Sequence, residues 1–213
     1  LQADRGGVVA RFSDGGSLNA DAVVLAGGPA SSAALLARVA PAAAAALRAV
    51  PLADSTVVSL AYADGAFAEA PRSHGWLEAD TAPISGITVS SAKWAGRAPQ
   101  GVTLIRAFVP QRLGAIASAP EEDLLAAVTD HLAAVLGVQA APVLSRVKRW
   151  TAVMPKYTVG HPGRVAAVAE GLAGLPNWRV AGSALRGVGV PDCVQDGRRQ
   201  AALALRSSAD GEG

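Results

Sequence analysis

The sequence predicts a mixed α+β and α/β fold, with an antiparallel-sheet domain set inside a glycine-cornered α/β segment. Three observations carry this. Thr56 to Ala63, Ile84 to Ser90 and Val102 to Phe108 alternate or cluster β-branched residues, as antiparallel strands do. Alanine-rich runs with proline or serine at their starts read as helices before and after those strands. Near the end, Val180 to Leu205 passes from a short apolar segment through Gly182, Gly187 and Gly189 into an alanine-rich helix opening at about Asp192, so strand, glycine loop and helix follow without a break.

In chain order, Val8 to Phe12, the turn Ser13-Asp-Gly-Gly16 and Ser17-Leu18 read as a hairpin in a β-meander. Asp21 to Pro29 is an apolar run ending in glycines, expected as a strand buried on both faces, with Gly27 and Gly28 serving a turn. Ser31 or Ser32 is expected to cap a helix through Val39, and Pro41 to start a second through Val50. The three strands of the sheet domain follow. Ser91 to Gly101, basic and aromatic, connects the last two, either as a solvated hairpin loop or as the edge of a pocket for a flat acidic ligand. Ser118-Ala-Pro-Glu121 matches a capping box. Leu124, Leu125, Val128, Leu132, Val135 and Leu136 then form one helical face that stops at Gly137, with His131 at its margin. Val143 to Trp150 reads as a returning strand, Pro162 to Ala173 as a helix, Trp178 to Gly182 as a strand and Asp192 to Arg206 as the last helix. Ser207 to Gly213 is expected to be a disordered polar tail.

Composition narrows the function. With 51% hydrophobic and 17% charged residues in 213, the chain can bury a full core, as one domain or parts of two. A net charge of +2, spread along the sequence, is no nucleic-acid footprint. One cysteine, Cys193, excludes an internal disulfide framework and a thiolate cluster, and His74, His131 and His161 share no ligand spacing. No metal is expected. A reducing cytoplasm is the expected location, since neither an export signal nor an uninterrupted apolar span is present. The sequence does not begin with methionine and is expected to be a piece of a longer polypeptide.

The glycine corner suits an anion or carbonyl group, because glycines let the main chain be approached and a helix start carries positive potential. It also suits a plain turn: Gly187-Val-Gly189 lacks the third glycine of a dinucleotide fingerprint, Asp192 standing in its place. About twenty residues upstream lies Trp150-Thr-Ala-Val-Met-Pro-Lys-Tyr-Thr-Val-Gly-His161. This pair of segments resembles the C-terminal part of the FAD-dependent protoporphyrinogen and coproporphyrinogen oxidases, a branch of the amine-oxidase-like flavoproteins, in which a "W..AMPQY.VGH" run leads to "AG...RGVGIPDCI.SG..AA". The resemblance spans Val143 to Leu205 closely and extends upstream through Ser90 to Phe108. An "ADAVVLA.P" strand of the family is similar to Asp21 to Pro29, where this sequence departs by carrying Gly27-Gly28.

The resemblance implies a partial two-layer FAD-binding domain of amine-oxidase type, with an antiparallel-sheet substrate domain and with the N-terminal Rossmann half absent. Residues 1–50 and 150–206 would belong to the FAD-binding domain and 51–149 to the substrate domain. The implied reaction is a six-electron oxidation of a porphyrinogen to a porphyrin in heme biosynthesis, with dioxygen as acceptor and hydrogen peroxide released. The tetrapyrrole is the implied substrate, coproporphyrinogen III ahead of protoporphyrinogen IX, and peripheral membrane contact would come through the missing half. Residue by residue, the flavin would be contacted by Val188, Gly189 and Val190, by main-chain groups of Cys193 and Val194, and by Trp150 and Met154 lining it. Lys93, Arg97 and Arg106 would face the substrate propionates, and Lys156 and Tyr157 would stand nearer the substrate side. Flavin chemistry asks for little acid or base from the protein, and no catalytic side chain is assigned; Cys193 is not a nucleophile, and His161 serves packing or the helix start. Trp150 would be placed as well by core packing. The competing readings are another amine-oxidase-like flavoprotein, which would need an aromatic amine pocket, and a catalytically silent binding segment.

Overall fold

The computed structural model describes residues 1–4, 6–69, 71–79, 82–110 and 114–209. In order these form β1 (Gln2–Asp4), β2 (Gly7–Arg11), β3 (Ser17–Ala20), β4 (Val23–Leu25), α1 (Pro29–Leu36), α2 (Pro41–Arg48), β5 (Leu52–Ala63), β6 (Gly75–Leu77), β7 (Gly86–Val89), α3 (Ser90–Lys93), β8 (Val102–Pro110), α4 (Gly114–Ser118), α5 (Glu121–Leu136), β9 (Leu144–Pro155), α6 (His161–Gly171), β10 (Trp178–Val180) and α7 (Val190–Ala209). They divide into two units, Leu1–Leu52 with Met154–Gly213, and Ala53–Val153.

In the first unit, β2 and β3 form the expected hairpin, Val8 opposite Ala20 and Arg11 opposite Ser17. Asp14 Oδ1 accepts the Gly16 N–H at 2.9 Å and Gly15 turns at φ 90°. A strand the sequence did not signal, β1, completes the meander on β2. Strand β4 runs parallel to β10, Val23 opposite Trp178 and Leu25 opposite Val180. The expectation of a strand buried on both faces holds at Leu25; Val23 and Val24 are half-buried, as the described sheet has just these two strands. Asn177, buried before β10, donates from Nδ2 to the carbonyls of Gly6 and Asp21 and so ties the meander to the parallel pair.

Neither Ser31 nor Ser32 caps α1. Gly28 is the N-cap and Pro29 opens the helix, because the fixed φ of proline starts a first turn better than a serine further on. Ser32 is buried inside the helix, its Oγ donating to Gly27 O at 3.4 Å. Helix α2 starts at Pro41 as expected. It meets α6 at Gly171, where an added Cβ would lie 2.4 Å from Ala43 N, so the two helix backbones touch. Leu36, Leu47, Val168, Trp178, Val180 and Leu185 belong to the core of this unit. The final helix begins at Val190, two residues before Asp192, and continues through Ser207 to Ala209, where a tail was expected. Nothing between Arg206 and Ala209 removes a ladder donor, so the helix does not stop. Residues 210–213 of that tail lie outside the described residues.

The second unit is a sheet of order β6-β7-β8-β5-β9. The β6–β7, β7–β8 and β8–β5 pairs are antiparallel. Alternation along β5 and β8 sends Val58, Leu60, Tyr62, Ile105 and Ala107 into one apolar core with Leu124, Val128 and Leu132 of α5. The opposite alternation aligns Thr88, Arg106 and Ser59 in one row across three strands. The expected capping box of α5 does not form. Ser118 closes α4 and Pro120 is the N-cap, and Glu121, Glu122 and Asp123 in the first turn complement the helix dipole instead. At the other end Gly137 caps at φ 64° with its N–H on Ala133 O. Val135 is exposed, so the packed face is narrower than the sequence suggests. His131 sits at the core edge, its Nε2 3.1 Å from Glu78 Oε1, which also accepts the Trp76 Nε1 hydrogen at 2.8 Å. No helix of the described residues is long and apolar enough to cross a membrane.

Candidate functional site

The corner between β10 and α7 lies within the first unit. Beyond Val180, the Ala181 N–H still reaches Leu25 O at 2.9 Å, and Gly182 then turns at φ 116°. Asp196, on the first turns of α7 and 6% exposed, receives this turn from within. Its carboxylate accepts the Gly182 N–H at 3.3 Å, Arg186 Nη1 at 2.9 and 3.0 Å and Gln200 Nε2 at 3.2 Å. A buried carboxylate is stable there because every side of it meets a donor.

Side chains of the Trp150 to His161 run hold the same loop. The Tyr157 hydroxyl donates to Ser183 O at 2.6 Å and accepts the Gly187 N–H at 2.7 Å. His161, buried at the start of α6, has its Nε2 2.9 Å from Leu185 O, and its ring stacks on Tyr157 at 3.9 Å. This is the packing and helix-start role the sequence gives His161.

Gly187 turns at φ 141°, and an added Cβ would lie 2.5 Å from Asp192 Cβ. Gly189 does not turn at positive φ; an added Cβ there would meet Asp192 Oδ2 at 2.8 Å. That carboxylate accepts the Gly189 N–H at 3.2 Å. Asp192, the residue in place of a third fingerprint glycine, thus occupies the space the two preceding glycines leave.

The earlier helix start changes which main-chain donors face outward. Cys193 N–H already bonds Gly189 O at 3.0 Å, and its Sγ lies 3.6 Å from Gly187 O. In a helix from Val190, the first-turn N–H groups without an intrahelical carbonyl are those of Val190 and Asp192, since Pro191 has none and Val194 enters the ladder. Val188, Val190 and Val194 are exposed together around this helix head. Met154 is also exposed in this unit, at the end of β9.

Trp150, assigned by resemblance to the same function, belongs to the second unit. It is exposed beneath Lys148, whose Nζ lies 4.8 Å from the ring centre, and with Asp54, Thr56 and Arg149 it lines a cavity of about 410 Å³. Core packing therefore does not account for it. Beyond it, Ala152 takes φ 52° with its N–H on Asp54 Oδ1 at 2.8 Å. Lys93 and Arg97 come together on one ring, Lys93 Nζ 4.7 Å and Arg97 Cζ 5.5 Å from the centre of exposed Trp94. The Arg106 guanidinium lies 5.5 Å from the centre of the Phe108 ring. No group of acidic, histidine or cysteine side chains among the described residues could hold a metal ion. The first unit also contains a cavity of about 620 Å³ lined by Leu172, Trp178, Arg186, Arg199 and Leu203, but Val188 to Val194 are not in its wall.

Sequence reasoning missed the Asp196 cluster and the Tyr157 hydroxyl. Asp196, Gln200 and Ala204 fall on one buried stripe of α7, polar in two of its three positions, and that pattern was the available signal.

Residues 1–205 match the family described as flavin containing amine oxidoreductase. The chain is 57% identical over 191 residues to the coproporphyrinogen III oxidase of Propionibacterium freudenreichii subsp. freudenreichii, covering 89% of this chain and 36% of that protein. To the coproporphyrinogen III oxidase of Mycobacterium tuberculosis (strain ATCC 25618 / H37Rv) it is 42% identical, covering 91% and 42%. It therefore spans well under half of these relatives' length. Among solved structures, a protein of Exiguobacterium sp. 255-15 assigned as a protoporphyrinogen oxidase superposes with a TM-score of 0.73 at 24% identity, over 98% of this chain and 45% of that one. Cyclohexylamine oxidase from Brevibacterium oxydans IH-35A gives 0.67 at 21% identity, over 99% and 47%; at such identities the likeness is one of fold. With the family matched along almost the whole sequence, the chain belongs to the flavin containing amine oxidoreductases.

Proposed function

We propose that these residues form the C-terminal part of an FAD-dependent oxidase converting coproporphyrinogen III to coproporphyrin III in heme biosynthesis, in the cytoplasm, with dioxygen consumed and hydrogen peroxide released. The observation that carries this is the 57% identity over 89% of the chain to a coproporphyrinogen III oxidase. Leu1–Leu52 with Met154–Gly213 would be the flavin unit and Ala53–Val153 the substrate unit. Peripheral membrane contact would belong to the remainder of the longer polypeptide.

The head of α7 fits a flavin. Val188, Val190 and Val194 offer an exposed apolar rim, and the loop leaves the Val190 and Asp192 N–H groups at the positive end of a twenty-residue helix. When bound, the flavin takes up the electrons removed from the substrate and passes them to dioxygen. The protein's part is positioning. The valines keep water from the reacting edge, and the helix head favours negative charge beside it, an effect of about 0.3–1 kcal/mol at an exposed end and more when covered. Trp150 and Met154 would cover further flavin surface. Lys93 and Arg97, stacked on Trp94, and Arg106, flanked by Ser59 and Thr88, would meet substrate carboxylates. Coproporphyrinogen carries four propionates against two, and each partly exposed pair adds about 0.2–1 kcal/mol.

The test is the ratio of specificity constants for coproporphyrinogen III and protoporphyrinogen IX, in a chain of the relatives' full length carrying these residues. A ratio favouring coproporphyrinogen is expected, reduced in Lys93→Ala/Arg97→Ala; a ratio favouring protoporphyrinogen would refute the substrate. Gly189→Val should abolish yellow colour there, since its side chain would displace the Asp192 carboxylate from the loop. The 213 residues alone should bind FAD weakly, lacking a complete glycine fingerprint for the adenosine side, and micromolar or tighter binding in an FAD titration would contradict this.

A further inference from the structure

Tyr157 and His161 have no part in the chemistry proposed above, yet they make three hydrogen bonds to the glycine loop inside one unit. Their geometry defines a task. A carbonyl only accepts, so His161 Nε2 carries the hydrogen given to Leu185 O, while Nδ1 is buried without a partner among the described residues. The imidazole is therefore fixed in one tautomer, and its ring lies 3.9 Å from the Tyr157 ring at an interplanar angle of 14°. That stacking sets the direction of the phenol, whose single oxygen donates to Ser183 O and accepts from the Gly187 N–H. The loop between these residues is held from the other side by buried Leu185 and by the Arg186–Asp196 pair. The outer bonds at Ser183 and Gly187 come from one hydroxyl.

We propose that Tyr157 is a positioning residue: its hydroxyl spans the loop from Ser183 to Gly187 and so fixes the exit, Val188 to Val190, where main chain is presented to the flavin. The flavin half of this inference rests on the function proposed above. Of ordinary side chains, a phenol combines a rigid stem of this length with a donor and an acceptor on one atom. Phenylalanine keeps the stack on His161 and deletes both bonds, which makes Tyr157→Phe the informative variant.

The experiment uses a chain of the relatives' full length carrying these residues. Hydrogen exchange at the Gly187 amide reads the loop directly, and flavin dissociation and the visible absorption bands read its consequence. In Tyr157→Phe, Gly187 exchange and flavin release should both quicken, by about thirty-fold for two ordinary hydrogen bonds, with altered flavin bands. His161→Phe, which keeps a ring against the phenol and loses only the Leu185 bond, should stay nearer wild type at the Gly187 amide, whereas His161→Gln, which retains a donor for Leu185 O but removes the stacked ring, should shift toward Tyr157→Phe. Unchanged Gly187 exchange in Tyr157→Phe would overturn the clasp. Faster exchange with unaltered flavin release and spectrum would overturn its positioning role and leave a structural bond. A wild-type chain that retains no flavin would remove the functional reading and the flavin half of this one, a failure distinguished from loss of the clasp by the Gly187 amide, which needs no cofactor.

Discussion

Around Leu60, Ile105 and Leu132 in the second unit, side chains meet other side chains, and the contacts are carbon on carbon. Around Gly182 and Gly187 in the first unit, side chains meet main chain: Asp196 holds the Gly182 N–H, Tyr157 the Gly187 N–H and His161 the Leu185 carbonyl. The first arrangement follows volume and tolerates exchange of one hydrocarbon for another. The second follows the direction of individual donors and acceptors, so a residue of similar size cannot substitute unless it carries the same groups.

The largest effects should separate the two regions. Leu60→Ala should cost about 2–5 kcal/mol in urea unfolding, whereas Leu60→Met, at nearly constant volume, should cost less than about 1.5 kcal/mol. Asp196→Leu is also close in size, yet it takes the carboxylate from Arg186 and the acceptor from the Gly182 N–H and should cost about 3 kcal/mol. Equal costs for Leu60→Met and Asp196→Leu would abolish the distinction. A smaller loss, about 1–3 kcal/mol, is expected for Gly187→Ala, and it has two causes: a φ of 141° and a clash with Asp192. Asp192→Gly added to it should recover the part due to the clash alone; full recovery would show that the backbone conformation costs nothing.

The smallest effect tests a polar atom inside the apolar region. Tyr62 is fully buried, its hydroxyl has no partner among the described residues, and burial pushes its pKa above the ordinary 10.0. The folded chain holds this proton when the unfolded chain has released it, so stability falls as pH rises through about 10. Tyr62→Phe should change stability by no more than about 0.5 kcal/mol near neutrality and should flatten that alkaline decline, as read from urea midpoints at several pH values. An identical decline in the variant would assign it to other groups.

The sheet unit was legible because its strands show their burial in their own spelling, as in Val57 to Tyr62 against Ile105 to Val109. The family motifs likewise drew attention to Gly187, Gly189 and Tyr157. Caps were misread where a proline stood near a serine: at Pro29 the fixed φ opens the first turn of α1, and at Pro120 the proline is itself the N-cap of α5, two residues beyond Ser118. Strand β1 was invisible since Gln2 to Asp4 are exposed and carry no apolar pattern. Helical spacing could put Asp196 and Gln200 on one stripe of α7, but not name the other partners, since Gly182 and Arg186 reach the carboxylate through a loop whose path depends on Gly182 and Gly187.

Division of the first unit into two stretches of chain governs the order in which the molecule can assemble. β4 finds its parallel partner β10, and Ala43 its contact at Gly171, only after the whole of Ala53–Val153 has been made. During synthesis the apolar β4 and α2 therefore wait, while the sheet unit, continuous in sequence, can fold first. Its first and last strands, β5 and β9, are neighbours, and the Ala152 N–H bonds Asp54 beside the points where the chain enters and leaves. A folded sheet unit thus brings those crossing points together in advance. It replaces the closure of a long flexible loop, whose entropic cost grows with its length, by that of a short one, and assembly of the first unit becomes a late and rapid step.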